Sequence, residues 1–306
     1  MEQDRMTQAS LRPLIFGEVL YDCFPDGSAV LGGAPFNVAW HLQGFGLAPQ
    51  FVSRVGTDEL GERILAAMSE WGMDTRGVQH DSIHATGRVV VSFQDNEPSY
   101  EIVPEQAYDF IDDELVDELL LEGRYALLYH GSLIARHPTA RTALKKLQSA
   151  DIPSFVDINL RDPWWQRQWL ESALQQARWA KLNEHELLTL TSRPDDSSKE
   201  IKGLAEELRR ERGLQMLVVT RGAAGALVLA DEITAEVAPA AMDGIVDTVG
   251  AGDAFSAVSI LGLLHGWPLP ELAKRAVEFA AEVCRMRGAT GRDHNLYRRY
   301  LRKWGA

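Results

Sequence analysis

Residues 247–253 read DTVGAGD, and the chain continues with AFSA at 254–257. Three small residues, Gly250, Ala251 and Gly252, precede a helical pattern, and small residues let the backbone approach a ligand closely. The amides of a first helical turn have no intrahelical partner, so this segment is predicted to cradle phosphoryl oxygens. Asp253 falls in the same turn, where the helix dipole favours an ionised carboxylate. It could take the proton of an attacking hydroxyl; the alternative is a glycine-rich turn that Asp253 only caps.

A second segment lies near the other end of the chain, where residues 32–39 read GGAPFNVA. The pair Gly32 and Gly33 allows close backbone contact with a polar ligand. Asn37 in the first helical turn can donate and accept hydrogen bonds, which suits sugar hydroxyls. Asp22 follows the first predicted strand at its carboxyl end, where open α/β sheets bind ligands. The alternative is a turn with a helix cap, a common place for Asn and Asp.

Strand and helix signals alternate along most of the chain. Strands separated by helices predict a mainly parallel sheet with helices on both faces. Two stretches, about 20–32 and 86–104, show strand alternation without a helix between them; they are predicted to form a small β-lid on a single domain covering 1–306, with a surface hairpin as the alternative. Strands are predicted at 14–19, 51–55, 125–130, 154–158, 180–182 and 216–220, and helices at 34–45, 59–71, 138–147, 201–208, 251–265 and 271–286.

Composition narrows the class of protein. The 306 residues are 45% hydrophobic, enough for a sizeable core, and 44 acidic against 31 basic residues give a net charge of −13. An acidic chain repels nucleic acid and anionic membranes, so neither is expected as a partner, and the basic run at 297–304 is expected to be a solvated terminal helix.

The distant Cys23 and Cys284 argue against a disulfide framework. Since no signal-peptide or membrane-spanning pattern occurs, the cytoplasm is the expected compartment.

Other nucleotide-binding motifs are missing from the sequence. There is no G-x-x-x-x-G-K-[ST] loop, and residues 16–22, after the first strand, read FGEVLYD instead of G-x-G-x-x-G. The sequence therefore disfavours a P-loop NTPase and a nicotinamide dehydrogenase.

The segments at 32–39 and 247–253 resemble the N-terminal and C-terminal signatures of the PfkB (ribokinase-like) carbohydrate kinase family, in that order and near opposite ends of the chain. Residues 183–186, NEHE, look like its N-x-x-E motif, and 219–225, VTRGAAG, look like its nucleotide-binding strand and turn. The resemblance spans about residues 14–290; Val258 departs from the usual Ala or Gly, where only a packing change is expected. The resemblance implies a Rossmann-like ribokinase fold with a small β-sheet lid.

The resemblance also implies roles for individual positions. Asp253 would be the catalytic base, with an anion hole formed by Gly250, Ala251 and Gly252. The positions implied to bind sugar hydroxyls are Asp22, Gly32, Gly33 and Asn37, together with Asp253. The positions implied to contact ATP are Asn183, Thr220, Arg221, Gly222, Gly225 and Gly252. Glu186 with Asn183 would support Mg²⁺, partly through water, and Asp247 with the backbone of Val249 would hold a monovalent cation such as K⁺.

The choice of sugar rests on residues 155–161, FVDINLR, which look like the D-x-N-x-R segment of fructokinases and 2-keto-3-deoxygluconate kinases. Asn159 and Arg161 are therefore expected to bind the sugar, because Arg at a strand end can hydrogen-bond several sugar oxygens or a carboxylate. The alternative for Arg161 is a surface ion pair with Asp162 or Asp157.

The expected reaction is ATP-dependent phosphorylation of the primary hydroxyl of fructose, giving fructose 6-phosphate. Ketodeoxygluconate, ribose or a nucleoside are alternative substrates within the family. A non-catalytic sugar or nucleotide sensor is the alternative of another class, disfavoured because Asp253 and the whole anion-hole triplet are present. An exposed lid that pairs with a second lid would make the protein a homodimer.

Overall fold

The computed structural model describes residues 11–94, 97–191, 201–231, 233–239 and 244–306. Within these ranges, no helix combines the length and the apolar character that crossing a bilayer requires.

The strands, numbered in chain order, are β1 Arg12–Phe16, β2 Leu20–Cys23, β3 Ala29–Gly32, β4 Gln50–Gly56, β5 Val78–Asp81, β6 Gly87–Gln94, β7 Glu97–Ile102, β8 Tyr125–His130, β9 Ser154–Asp157, β10 Ala177–Asn183, β11 Met216–Thr220, β12 Ala226–Ala230 and β13 Ile233–Val237. The α-helices are α1 Ala34–Gly44, α2 Glu59–Glu70, α3 Glu114–Glu122, α4 Pro138–Ser149, α5 Arg167–Gln176, α6 Glu184–Thr191, α7 Ile201–Glu211, α8 Ala251–His265, α9 Leu269–Val283 and α10 His294–Trp304.

The main sheet has nine strands within the described residues, in the order β13-β12-β11-β10-β9-β8-β1-β4-β5. The seven strands β5, β4, β1, β8, β9, β10 and β11, taken in spatial order, pair in parallel with their neighbours. Strand β12 pairs antiparallel with both β11 and β13, and these three strands form a ribbon at the other edge. The prediction of a mainly parallel α/β sheet is confirmed. Because the parallel strands point the same way, the segments after β1, β8, β9 and β10 all emerge at one edge of the sheet.

Both faces of the sheet are buried, as a parallel sheet requires. Along β1, Ile15 packs into the cluster that contains α1, α8 and α9, whereas Leu14 and Phe16 pack into the cluster on the opposite face with α3 and α4. This alternation follows from the two-residue period of a strand. Val258 on α8 is fully buried in the first cluster, where it contributes to packing as expected.

A separate four-stranded sheet has the order β3-β2-β6-β7. Strand β2 pairs antiparallel with β3 and parallel with β6, and β6 and β7 form a hairpin. Val89 and Val91 are 6% and 2% exposed on its inner face, whereas Val90 on the outer face is 44% exposed. Its strands lie within the two stretches predicted from alternation, so the prediction of a small second sheet is confirmed.

The C-terminal helix differs from the expectation of a solvated helix. Tyr297, Tyr300 and Trp304 are at most 7% exposed, and both tyrosine rings pack on Phe279 of α9 at centroid distances of 5.7 and 5.2 Å. The expectation was wrong for this face because aromatic residues at positions i, i+3 and i+7 form one apolar stripe. The basic residues of the helix lie on the exposed face.

Several elements were not predicted. These are the strands β5, β12 and β13 and the helices α3, α5 and α6. Strand β13, for example, has a mostly exposed sequence, ITAEV, and pairs on one side only with β12. Short edge strands carry mixed polar residues, so a search for apolar runs misses them.

A matched pair of leucines tests the placement of the core. Leu144 on α4 is 0% exposed and Leu121 on α3 is 87% exposed. We expect Leu144→Ala to lower the free energy of unfolding by about 2–5 kcal/mol because it leaves a cavity. Leu121→Ala should change it by less than about 0.5 kcal/mol. Urea unfolding followed by circular dichroism measures both, and equal losses would contradict this packing.

Candidate active site

Helix α8 begins at Ala251, as predicted, directly after a left-handed Gly250 with φ 80° and ψ −4°. Glycine is required there for two reasons: a side chain is strained at positive φ, and a Cβ on Gly250 would lie 2.3 Å from the Cβ of Ala289. The amide of Ala251 donates to the carbonyl oxygen of Thr248 at 3.3 Å, which leaves the amides of Gly252 and Asp253 as the ones in this first helical turn without an intrahelical partner.

Asp253 lies in the first turn of α8 and is 9% exposed. The side-chain amide of Asn37, on α1, donates a hydrogen bond of 2.8 Å to its Oδ2. Burial raises the pKa of Asp253 to about 6; the Asn37 hydrogen bond opposes this rise, as do the charges of Lys181 and Arg161, whereas Asp157 adds to it. Desolvation therefore dominates and raises the pKa above its usual range, to a value at which Asp253 is still mostly ionised at neutral pH.

A buried ion pair lies beside the same turn. Lys181 Nζ on β10 donates to both carboxylate oxygens of Asp157 at 2.8 and 2.7 Å. Tyr129 and Ser256 also donate to Asp157 Oδ2, at 3.1 and 2.8 Å. The Lys181 ammonium lies 3.5 Å from the place where a Cβ on Gly252 would stand. A positive charge therefore sits within reach of the turn without facing solvent.

A cavity of about 600 Å³, here called the first cavity, opens between the small sheet and the strand ends of the main sheet. Burial raises the pKa of Asp22 in its wall to about 6; Arg161 opposes the rise, and Asp247 adds to it. Arg161 faces this cavity, whereas Asp157, its proposed surface partner, is paired with Lys181. The predicted residues that line the first cavity are Asp22, Gly32, Gly33, Asn37, Asn159, Arg161, Val249, Gly250, Gly252 and Asp253.

A second cavity of about 400 Å³ lies on the other side of the turn. Its apolar wall includes Ile245, Phe255 and Val277, which suit a flat aromatic ring. Gly225 lies at its mouth with φ 86°, and a Cβ there would stand 2.0 Å from the carbonyl oxygen of Val237. The predicted residues that line the second cavity are Thr220, Gly222, Gly225, Ala251 and Gly252.

Two predicted nucleotide residues make other contacts. Arg221 Nε bonds Glu184 Oε2 at 3.3 Å, at the start of α6. Asn183 Oδ1 accepts the amide of Glu186 at 2.8 Å, so its side chain caps that helix. Neither residue lies in the wall of the second cavity, although both are in segments next to it.

The candidate magnesium residue, Glu186, is 4% exposed. Its two carboxylate oxygens accept the amides of Leu160 and Asn183, each at 2.8 Å; burial raises its pKa, and these bonds oppose the rise. Among the described residues no group of three or more His, Cys, Asp or Glu side chains could hold a metal. Mg²⁺ commonly uses one carboxylate, waters and substrate phosphates, so this donor set fits an ion carried by a nucleotide and reached through water.

The candidate cation residue, Asp247, is fixed by the chain around it. Its Oδ1 accepts the amide of Val249 at 3.0 Å and its Oδ2 accepts the amide of Gly288 at 3.2 Å. These bonds hold the carboxylate beside the turn that precedes α8. The monovalent cation itself stays a prediction.

Two residues of the site were missed by sequence reasoning. Glu18 lines the first cavity and is 4% exposed, and Lys181 is 6% exposed in the ion pair beneath the turn. A signal was available for each, because both are charged residues within apolar runs, at 14–20 and 177–182. Charged residues are seldom buried without a partner or a ligand.

Comparisons with known proteins agree with this geometry. A family model described as pfkB family carbohydrate kinase matches residues 20–295. The fructokinase of Klebsiella pneumoniae is 30% identical over 286 residues, covering 88% of this chain and 90% of that protein. A sugar kinase of Pyrococcus horikoshii, solved in complex with ATP, is 26% identical with a TM-score of 0.74, covering 90% of this chain and 93% of that one. A fructokinase of Xylella fastidiosa with bound ATP has a TM-score of 0.82 at 22% identity, covering 96% and 99%, and agrees in fold.

The two glycines of the turn should respond differently to a methyl group. Gly250→Ala should lower the free energy of unfolding by at least about 1–2 kcal/mol, the cost of a left-handed alanine, and its clash with Ala289 adds to this loss. Gly252→Ala should be neutral or stabilising by up to about 1 kcal/mol, since alanine favours a helix. Urea unfolding of both variants measures this; a Gly252→Ala variant as unstable as Gly250→Ala would contradict the described turn.

Proposed function

This chain belongs to the pfkB family of carbohydrate kinases, and from that premise we propose that it transfers the γ-phosphoryl group of ATP to the primary hydroxyl of fructose, giving ADP and fructose 6-phosphate. One observation carries the proposal: the two cavities share Thr248 and Gly252 in their walls, so they meet at the turn that begins α8. A sugar in the first cavity and a nucleotide in the second would present their reacting groups to each other there.

Asp253 is the proposed base. Its carboxylate lies in the first cavity, and Asn37 holds one of its oxygens. It takes the proton of the sugar hydroxyl as that oxygen attacks the γ-phosphorus, and the bond from the γ-phosphorus to the β,γ-bridging oxygen breaks to release ADP. The amides of 250–252 and the nearby Lys181 ammonium offset the charge that spreads over the transferred group.

ATP is proposed to occupy the second cavity, with Thr220, Gly222 and Gly225 beside its phosphates and ribose. Support comes from the relative of Pyrococcus horikoshii that was solved with ATP. Arg221 and Asn183 would reach the nucleotide from the adjoining turns. When bound, Mg²⁺ supplies positive charge to the phosphates, and Glu186 with Asn183 would hold its waters.

Fructose is the proposed sugar because of the resemblance of residues 155–161 to fructokinases and the likeness to the Klebsiella pneumoniae enzyme. Asp22 and Asp253 both line the first cavity. Carboxyl groups suit the hydroxyls of a neutral sugar. A keto acid such as ketodeoxygluconate would depend on Arg161 to meet its carboxylate.

The small sheet is the proposed lid over the first cavity, to which it contributes Val89 and Tyr100. Its closure would exclude water and suppress ATP hydrolysis. The outer face of the small sheet exposes Val90. Pairing of two such faces, one from each copy of the chain, would give the proposed homodimer.

Replacing the base tests the proposed chemistry. Asp253→Asn should keep the affinity for ATP and lower kcat by about 10²–10⁴-fold, because an amide cannot accept the hydroxyl proton. A coupled ADP-release assay gives kcat, and calorimetry gives the ATP affinity. Asp151→Asn, on an exposed bend, is the control and should leave both unchanged. Normal turnover in Asp253→Asn would remove the proposed role of this carboxylate.

The pH dependence follows from the raised pKa of Asp253, about 6. The base acts when deprotonated, so kcat/KM should be constant above this pKa and fall about tenfold per pH unit below it. Steady-state rates from pH 5 to 9 measure the profile. Burial also raises the pKa values of Asp22 and Glu18 into this region, to about 6 and about 7, so Asp22→Asn and Glu18→Gln are the controls and should retain the acid limb. Loss of the limb in Asp22→Asn, or a wild-type rate independent of pH near 6, would contradict the assignment.

A sugar panel tests the substrate. The same assay with fructose, ribose, 2-keto-3-deoxygluconate and adenosine should give a kcat/KM for fructose that exceeds the others by about 100-fold or more, because a site built to bond hydroxyls rejects ligands that leave those bonds unmade. Phosphorylation of ribose or adenosine without fructose would overturn the choice of sugar. Binding of sugar and ATP without ADP release would favour the sensor.

A further inference from the structure

Glu18 is a buried carboxyl in the wall of the first cavity that the proposed mechanism does not use. It lies in the connection between β1 and β2, is 4% exposed, and its Oε2 has no hydrogen-bond partner among the described residues. A buried polar atom without a partner is costly and is rare in folded proteins. A ligand in the cavity would remove that cost.

The neighbours of Glu18 leave its free oxygen available. Arg136 is the nearby cation behind the cavity wall, but its Nε and Nη2 donate to Asp109 at 2.7 and 2.6 Å, and its guanidinium lies over the rings of Tyr108 and Trp164 at 5.0 and 4.6 Å. These contacts fix Arg136 in place. Its remaining nitrogen, Nη1, is buried without a hydrogen-bond partner among the described residues, so Arg136 attracts the Glu18 carboxylate electrostatically but does not hydrogen-bond the unpartnered oxygen.

A second unpartnered acceptor belongs to another residue in the wall of the same cavity. Asn37 donates its amide to Asp253, and its Oδ1 is buried without a partner among the described residues. Both Glu18 Oε2 and Asn37 Oδ1 lack a hydrogen-bond donor among the described residues. A sugar bound in the cavity carries several hydroxyls that can donate to such oxygens. Burial raises the pKa of Glu18 to about 7, Asp253 adds to the rise, and Arg161 and Arg136 oppose it, so its carboxyl can accept or donate near neutral pH.

We propose that Glu18 binds the sugar: its free carboxyl oxygen hydrogen-bonds one hydroxyl of the substrate, distinct from the hydroxyl that is phosphorylated, and this contact selects among sugars. The inference rests on the proposed function, which places the sugar in the first cavity. Glu18 is here a specificity residue, and Asp253 remains the base.

Glu18→Gln keeps the size of the side chain and removes its charge. At about pH 8, above the raised pKa of Glu18, the KM for the sugar should rise about 10-fold or more, because a hydrogen bond to a charged group is among the stronger ones. The KM for ATP and kcat should stay within about threefold, since the contact is made equally before and during transfer. Glu62→Gln, on the exposed face of α2, is the matched control and should leave all three constants unchanged. Thermal melting shows whether each variant is folded.

A set of monodeoxy ketoses gives a readout that a merely structural role of Glu18 would not produce. In the wild type, removal of the hydroxyl that Glu18 binds should lower kcat/KM about 10-fold or more. In Glu18→Gln the same deoxy sugar should show little further fall in kcat/KM, because the carboxylate that binds the missing hydroxyl has already been replaced. The other deoxy sugars should lose equally in both proteins.

The inference is overturned if the KM of Glu18→Gln for the sugar stays within about twofold of the wild type, or if every deoxy sugar loses equally in both proteins. Should Glu18→Gln not fold, the same cycle is run with Glu18→Asp, which keeps the acid but withdraws it by one methylene. If the wild type phosphorylates a sugar other than fructose, the proposal of fructose as substrate is wrong. The same measurements with deoxy forms of that other sugar then test whether Glu18 binds it. If the wild type phosphorylates no sugar, both proposals fail.

Discussion

The hydrogen bond of 2.8 Å from Asn37 to Asp253 is the contact on which the site depends, because it joins the first turns of α1 and α8 across 216 residues of sequence. It holds the carboxylate in one position where burial would otherwise favour protonation. It also brings the two glycine-rich segments to the same edge of the sheet. The first and second cavities meet at the turn that begins α8, beside the start of α1.

Charge burial is the second constraint on this site. Burial raises the pKa values of Glu18, Asp22 and Asp253 around one cavity, and Arg161 opposes the rise at each of them. Beneath the turn, Lys181 and Asp157 are held together by two hydrogen bonds. Such a pair contributes little net stability after desolvation, so we infer that its value lies in holding a positive charge near the turn at 250–252, where the phosphoryl group is proposed to bind. A site of this kind is incomplete until a ligand supplies the remaining donors and charge.

Much of the fold and part of the site could be predicted from local pattern. The buried strands β8 and β11 and the helix α8 were predicted with their observed bounds, since continuous apolar runs and a glycine turn are strong signals. Strands β5 and β13 were not, because short strands of mixed polarity resemble loops. The docking of α10 was missed for another reason: its aromatic stripe was outweighed by its basic residues, although both occur on opposite faces of one helix.

The sequence by itself determined where helices α1, α2, α4, α7 and α8 begin, which residues are small enough for the turn at 250–252, and that Asp253 and Asn37 stand in first helical turns. Only the tertiary structure decided that Asp253 has a raised pKa, that Lys181 pairs with Asp157, and that Glu18, in the cavity wall, has a buried oxygen without a partner among the described residues. The physical reason is that turns and helix starts depend on neighbours within a few residues. Desolvation and charge pairing depend on groups brought together from distant parts of the chain.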